Sequence, residues 1–142
     1  MAAIVSAEFQ ERDRIIFRAR GRSSVNVRSM LDDGPIGYTS TELLLVAVGN
    51  CSLGWLSNHP LLVDEPLRLV TARFEAEMAV DPPRVAKIVA TLNFEVTNPG
   101  LLAAVTELEA IACTCPMCNS LTSEREIHIE ISMVGAGAAA GK

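Results

Sequence analysis

The pattern of apolar and polar positions divides the chain into two kinds of segment. Residues 3–10 and 14–20 alternate across the charged turn "ERDR" and predict an N-terminal hairpin. Ser23 to Met30 continues as a third strand, with Val25 and Val27 set against polar neighbours. "LDDGPIGY" then reads as a loop from its Asp, Gly and Pro content. In "TSTELLLVAVGNCSLGWLSNHP" the alternation gives way to a continuous apolar run: Thr39 and Glu42 fit a Ser/Thr-x-x-Glu capping box, and Pro60 limits the far end. The spacing predicts a helix of about 18 residues that is apolar around almost its whole circumference and therefore buried on all sides. Leu67 to Val80 and Val85 to Val96 predict two long strands separated by "DPP". "NPGLLAAVTELEAIAC" predicts a second helix, and "PMCNSLTS" a short third one with Pro116 in its first turn. "EIHIEISMV" alternates cleanly as a last strand, before the small-residue tail "GAGAAAGK". The order β-β-β-α-β-β-α-α-β is an α+β architecture, a single domain over residues 1–134 with a flexible tail at 135–142.

Composition changes this picture in one respect. At 142 residues the chain is long enough to bury a core without disulfide staples. Its hydrophobic content of 49% and mean hydropathy of +0.29 are nevertheless high for so short a protein, which argues for an obligate dimer interface. Net charge of -5 and only 12 Lys and Arg, in no stripe, argue against nucleic acid or an anionic membrane as partner. The start "MAAIVSAEFQERD" lacks a basic stretch leading into an apolar one, so a cytoplasmic protein is expected, in a compartment where thiols stay reduced.

Chemistry concentrates in four cysteines. Cys51 falls in the body of the apolar helix, with Leu44, Val48 and Trp55 at helical spacing, and taken alone reads as a small core residue. Cys115 precedes Pro116, at or near the cap of the short helix, where free N–H groups favour a thiolate. "CPMC" matches thioredoxin-type dithiols in spacing, but those follow a strand of a βαβ unit, and here a helix precedes. Zinc held by Cys51, Cys113, Cys115 and Cys118 is a further alternative, against which stands the fixing of Cys51 within a helix. Cys113 and Cys118 read as auxiliary thiols or as packing, Cys118 more as packing. His59 and His128 lack the neighbours of a Cys-His nucleophile pair, and the tail glycines open no phosphate-binding loop.

"TELLLVAVGNC" paired with "CPMCNSL" in this element order resembles the OsmC/Ohr family of organic hydroperoxide reductases and their less characterised relatives. The resemblance spans nearly the whole chain. It implies an intertwined homodimer, with sheets wrapped around buried central helices and the active site at the subunit interface. It also implies a thiol peroxidase without a cofactor, in which Cys51 is peroxidatic and Cys115 resolving, with an organic hydroperoxide as substrate and a lipoyl-type or other dithiol as reductant. Arg28, at the end of the third strand, matches roughly where peroxidase members carry their catalytic arginine; Arg18, Arg20 and Arg22 are weaker alternatives. A guanidinium suits the role because it stays charged on burial. Peroxidase members also carry a glutamate where this chain has Thr41, and Glu42 matches instead a glutamate of the less characterised branch. Glu42 lies roughly 13 Å from Cys51 along the helix, so as a site residue it would act from the partner subunit, and within one chain it reads as the capping-box residue. The competing expectation is a non-catalytic relative that binds an apolar ligand or senses redox state.

Overall fold

The computed structural model describes residues 2–11, 13–31, 34–65, 70–94 and 98–122. The strand expected from "EIHIEISMV", His128 within it, and the tail lie outside the described residues.

Strands β1 (Ser6–Gln10), β2 (Arg14–Ala19) and β3 (Arg22–Val27) form an antiparallel meander in the order β1-β2-β3. The β2–β3 connection is the pair Arg20 and Gly21, both at positive φ (51° and 74°), a twist that matches the handedness of the strands it joins. The third strand ends three residues earlier than the alternation suggests. After Val27 the backbone pairs instead with the approach to the first helix: the Gly37 N–H donates to the Val27 carbonyl, and the Asn26 side chain both accepts from the Tyr38 N–H (2.9 Å) and donates to the Tyr38 carbonyl (3.0 Å). A Cβ at position 37 would lie 2.5 Å from the Val27 carbonyl oxygen, so this close approach requires glycine. The expected loop contains a minimal hairpin, β4 (Met30–Leu31) and β5 (Gly34–Pro35), too short to leave a periodic signal.

Helix α1 (Ser40–Ser57) has the predicted length and the predicted cap. The Glu42 N–H donates to Thr39 Oγ1 (3.2 Å), and the Thr39 N–H donates to the Glu42 carboxylate (2.7 Å). Its burial differs from expectation. Leu44, Val48, Ser52 and Leu56, four apart, form the inward stripe, and Gly49 meets the Phe74 ring, but Leu43 and Val46 on another face and Trp55 near the end are exposed in the single chain. An all-round apolar helix needs cover on every side, and one chain supplies it only on some.

The long hairpin, β6 (Val70–Val80) and β7 (Pro83–Phe94), forms as predicted, with a register shift at Glu77/Met78. The predicted second helix divides. Asn98 caps a 3-10 segment, Pro99–Ala104, by accepting from the Gly100 N–H, and α2 (Val105–Ala112) follows it. α3 (Pro116–Thr122) begins at the predicted proline. Helix α1 packs against α2, α3 and β6. Leu56, Leu62 and Leu101 form the buried core, with Leu92, Leu108 and Ile111 packed around it. Each fully buried leucine contributes about 1.5–3 kcal/mol of transfer free energy. No helix among the described residues is long and apolar enough to cross a membrane.

Candidate functional site

Helix α1 and the start of α3 bring Cys51, Ser52, Cys115 and Cys118 together. Cys115 is fully buried, and all four cysteines of the chain are thiols. The Ser52 hydroxyl lies 3.4 Å from Cys115 Sγ and 3.8 Å from Cys118 Sγ. The Cys118 N–H donates to Cys115 Sγ (3.4 Å), and the Cys118 and Cys51 side chains lie near enough to act on the Cys115 thiol. Burial raises the Cys115 pKa, but the Ser52 hydroxyl, the Cys118 N–H and the neighbouring thiols outweigh it, lowering the value to about 7. Cys118 moves the other way: burial raises it, and a thiolate at Cys115 opposes a second negative charge beside it.

A cavity of about 1010 Å³ opens beside this cluster, between α1, the β6–β7 hairpin, the 3-10 segment, α2 and α3. Leu44, Val48, Leu56, Phe74 and Leu101 are among its apolar walls, and Ser52, Cys113 and Cys118 bring polar or sulfur atoms to it. Its size is at the upper end for small-molecule sites, which run to roughly 1,000 Å³. Cys51 does not line this cavity. The apolar walls therefore stand beside Ser52 and Cys118 rather than around Cys51. The indole N–H of Trp55 donates to Thr114 Oγ1 (3.1 Å), tying the end of α1 to the segment between Cys113 and Cys115.

Of the residues singled out in the sequence, Cys51 and Cys115 meet. Arg28 is exposed at the end of β3 and does not line the cavity, and Glu42 is engaged in the capping box at the outer end of α1. Arg18 pairs with Glu8 at 3.0 Å on the first sheet, and Arg20 and Arg22 are exposed. No group of three His, Cys, Asp or Glu among the described residues could hold a metal ion. The four cysteines, all described, thus do not assemble the four-thiolate site considered as an alternative. His59 accepts from the Leu61 N–H (3.2 Å) and belongs to the turn after α1. Ser52 escaped sequence reasoning, and Cys118 was ranked too low. Ser52 carries a faint signal as the hydroxyl on the stripe Leu44, Val48, Leu56, and Cys118, in sequence an auxiliary thiol or more readily packing, has a spacing from Cys115 that places both in one helical turn.

No family model matches the sequence, and no curated protein matches it. Solved structures do. An OsmC-like protein from Mycoplasma pneumoniae superposes with a TM-score of 0.70 at 12% identity, over 85% of this chain and 87% of that one. A protein from Psychrobacter arcticus 273-4, named for osmotic stress induction and a detoxification response, gives 0.67 at 18% identity, over 84% and 88%. An OsmC-like protein of unknown function from Vibrio cholerae O1 gives 0.65 at 14% identity, over 87% and 94%. At these identities the likeness is one of fold: the chain has the mixed α+β, antiparallel-sheet architecture of OsmC-like proteins.

Proposed function

We propose that this OsmC-like chain is a thiol peroxidase that reduces organic hydroperoxides with Cys51 and Cys115. The observation that carries the reading is the approach of α1 to Cys115: the hydroxyl of Ser52, next to Cys51 in sequence, stands 3.4 Å from Cys115 Sγ, and the Cys51 side chain is near enough to act on the same thiol. The Cys51 thiolate attacks the distal peroxide oxygen, so that an S–O bond forms, the O–O bond breaks and the alkoxide leaves as the alcohol after taking a proton. The Cys115 thiolate then attacks the sulfenic sulfur of Cys51, so that the Cys51–Cys115 disulfide forms, the S–O bond breaks and the hydroxide leaves as water after taking a proton. A dithiol reductant returns both thiols by exchange, supplying two electrons and two protons. Lowering of the Cys115 pKa to about 7 supports the second step, because an appreciable thiolate fraction exists at neutral pH. The chemistry requires a reducing compartment such as the cytoplasm.

The reading includes a homodimer. Leu43 and Val46, both exposed on α1, belong to the apolar surface that a second copy would cover. Arg28 and Glu42 act in this reading only across that contact, Arg28 stabilising the Cys51 thiolate of the other subunit and Glu42 orienting the guanidinium. The test is consumption of cumene hydroperoxide with dihydrolipoamide as reductant. Cys51→Ser and Cys115→Ser are each expected to lose ~100-fold or more in rate. Equal rates in wild type and Cys51→Ser would eliminate the peroxidase reading.

A further inference from the structure

The Cys51–Cys115 disulfide, half-buried at Cys51, presents a difficulty of access on its Cys115 side. Cys115 is fully buried, and no face of it is open to an incoming dithiol. Cys118, by contrast, borders the cavity, donates its N–H to Cys115 Sγ, and shares the Ser52 hydroxyl with it. We infer that Cys118 is a third redox thiol, which takes the disulfide over as Cys115–Cys118 and frees Cys51 before the external reductant acts.

The inference rests on the peroxidase reading for its oxidant, the hydroperoxide, and adds no other. In the transfer step the Cys118 sulfur attacks Cys115 Sγ. The Cys115–Cys118 bond forms, the Cys51–Cys115 bond breaks, and the Cys118 proton ends on Cys51. No electron enters or leaves the protein, so the two oxidising equivalents taken from the peroxide are only relocated. The reductant then attacks the Cys118 sulfur from the cavity, Cys115 departs as thiolate, and the second thiol of the reductant completes the exchange as its own disulfide.

Geometry permits the new bond. Residues three apart in one helical turn have Cα atoms about 5 Å from each other, inside the range a disulfide spans. The shifts of the two thiols give the relay a direction. A sulfur whose thiolate is stabilised leaves faster, so attack from the cavity with Cys115 as leaving group is the favoured way out. The opposite shift of Cys118 makes it the more nucleophilic of the pair once deprotonated.

The test follows the disulfides through time. Reduced full-length protein is mixed with one equivalent of cumene hydroperoxide, quenched in acid at intervals, alkylated and mapped by peptide mass spectrometry. A Cys51–Cys115 link that decays into Cys115–Cys118 is the expected course. Cys118→Ser, with Cys118→Ala as a second variant, should instead stall at Cys51–Cys115 and turn over about tenfold more slowly with dihydrolipoamide. Persistence of Cys51–Cys115 in the wild type, together with wild-type turnover in both Cys118 variants, overturns the relay and leaves the peroxidase reading intact. Conversely, Cys51→Ser equilibrated in dithiothreitol redox buffers isolates the pair from peroxide chemistry. A Cys115–Cys118 disulfide there supports the dithiol even if the peroxidase reading fails, and its absence at every poise up to fully oxidised buffer rejects it.

Discussion

Replacing Ser52 by alanine deletes the hydroxyl that touches both Cys115 and Cys118 while keeping the helix and nearly all the packing. Its hydrogen bond favours the Cys115 thiolate, so the Cys115 pKa is expected to move back from about 7 toward the ordinary cysteine value. In rapid-mixing experiments the rate of Cys51–Cys115 formation should rise with pH through about 7 in the wild type and through a higher pH in Ser52→Ala. Coincident pH profiles would show that Ser52 only packs. Folding stability has the same origin. A thiol whose pKa is lowered on folding stabilises the native state fully above its unfolded value, and that contribution is lost as pH falls through about 7. Stability measured by urea unfolding should therefore gain from Cys115 between pH 7 and pH 9, and Cys115→Ser should remove that part of the pH dependence. Arg28 is tested at the same scale: Arg28→Gln should slow peroxide consumption by ~10-fold or more if it acts on the partner's thiol, whereas an unchanged rate would leave it a surface residue.

Among the elements, α1 was legible end to end because its signals are local: a threonine and a glutamate three apart at one end, a proline just past the other. Thr39→Ala is expected to cost about 1 kcal/mol, since it leaves the Glu42 N–H without its acceptor, and Glu42→Gln less than half of that, because an amide oxygen still reaches the Thr39 N–H. Urea unfolding of the two variants measures the difference. Gly49→Ala carries a further cost, as the new Cβ would stand 2.9 Å from the Phe74 ring, and about 1–3 kcal/mol is expected from overpacking. Other features left no trace in the pattern. The division of residues 99–112 into a 3-10 and an α segment follows from Asn98 capping at Gly100, a contact of two residues inside a run of good helix formers. The early end of β3 follows from Asn26 and Gly37, partners across a loop. The candidate site was half legible: Cys51 and Cys115 stood out as cysteines in contrasting settings, but the hydroxyl that touches Cys115 and Cys118 belongs to a residue type with no pattern of its own.

For the whole molecule, the excess of apolar residues read from composition appears among the described residues as exposed side chains on the strands, loops and helices, Leu43 and Val46 of α1 among them, rather than as a larger core. Size-exclusion chromatography with light scattering is expected to give a dimer. Val46→Lys, a charge placed on that surface, should shift the equilibrium toward monomer and lower activity with it. A wild-type monomer with full peroxidase rate would overturn both the dimer and the assignment of Arg28 and Glu42 to the partner's site.

Trp55 is the single tryptophan of the chain, and its indole N–H is held by Thr114, flanked in sequence by Cys113 and Cys115. Its emission is therefore an optical readout built into the native sequence. Any disulfide that draws Cys115 toward Cys51 or Cys118 must pull on the indole's hydrogen-bond partner. A stopped-flow fluorescence trace after peroxide addition should resolve formation and transfer of the disulfide as successive phases, with no label and no substitution, and the second phase should be missing in Cys118→Ser.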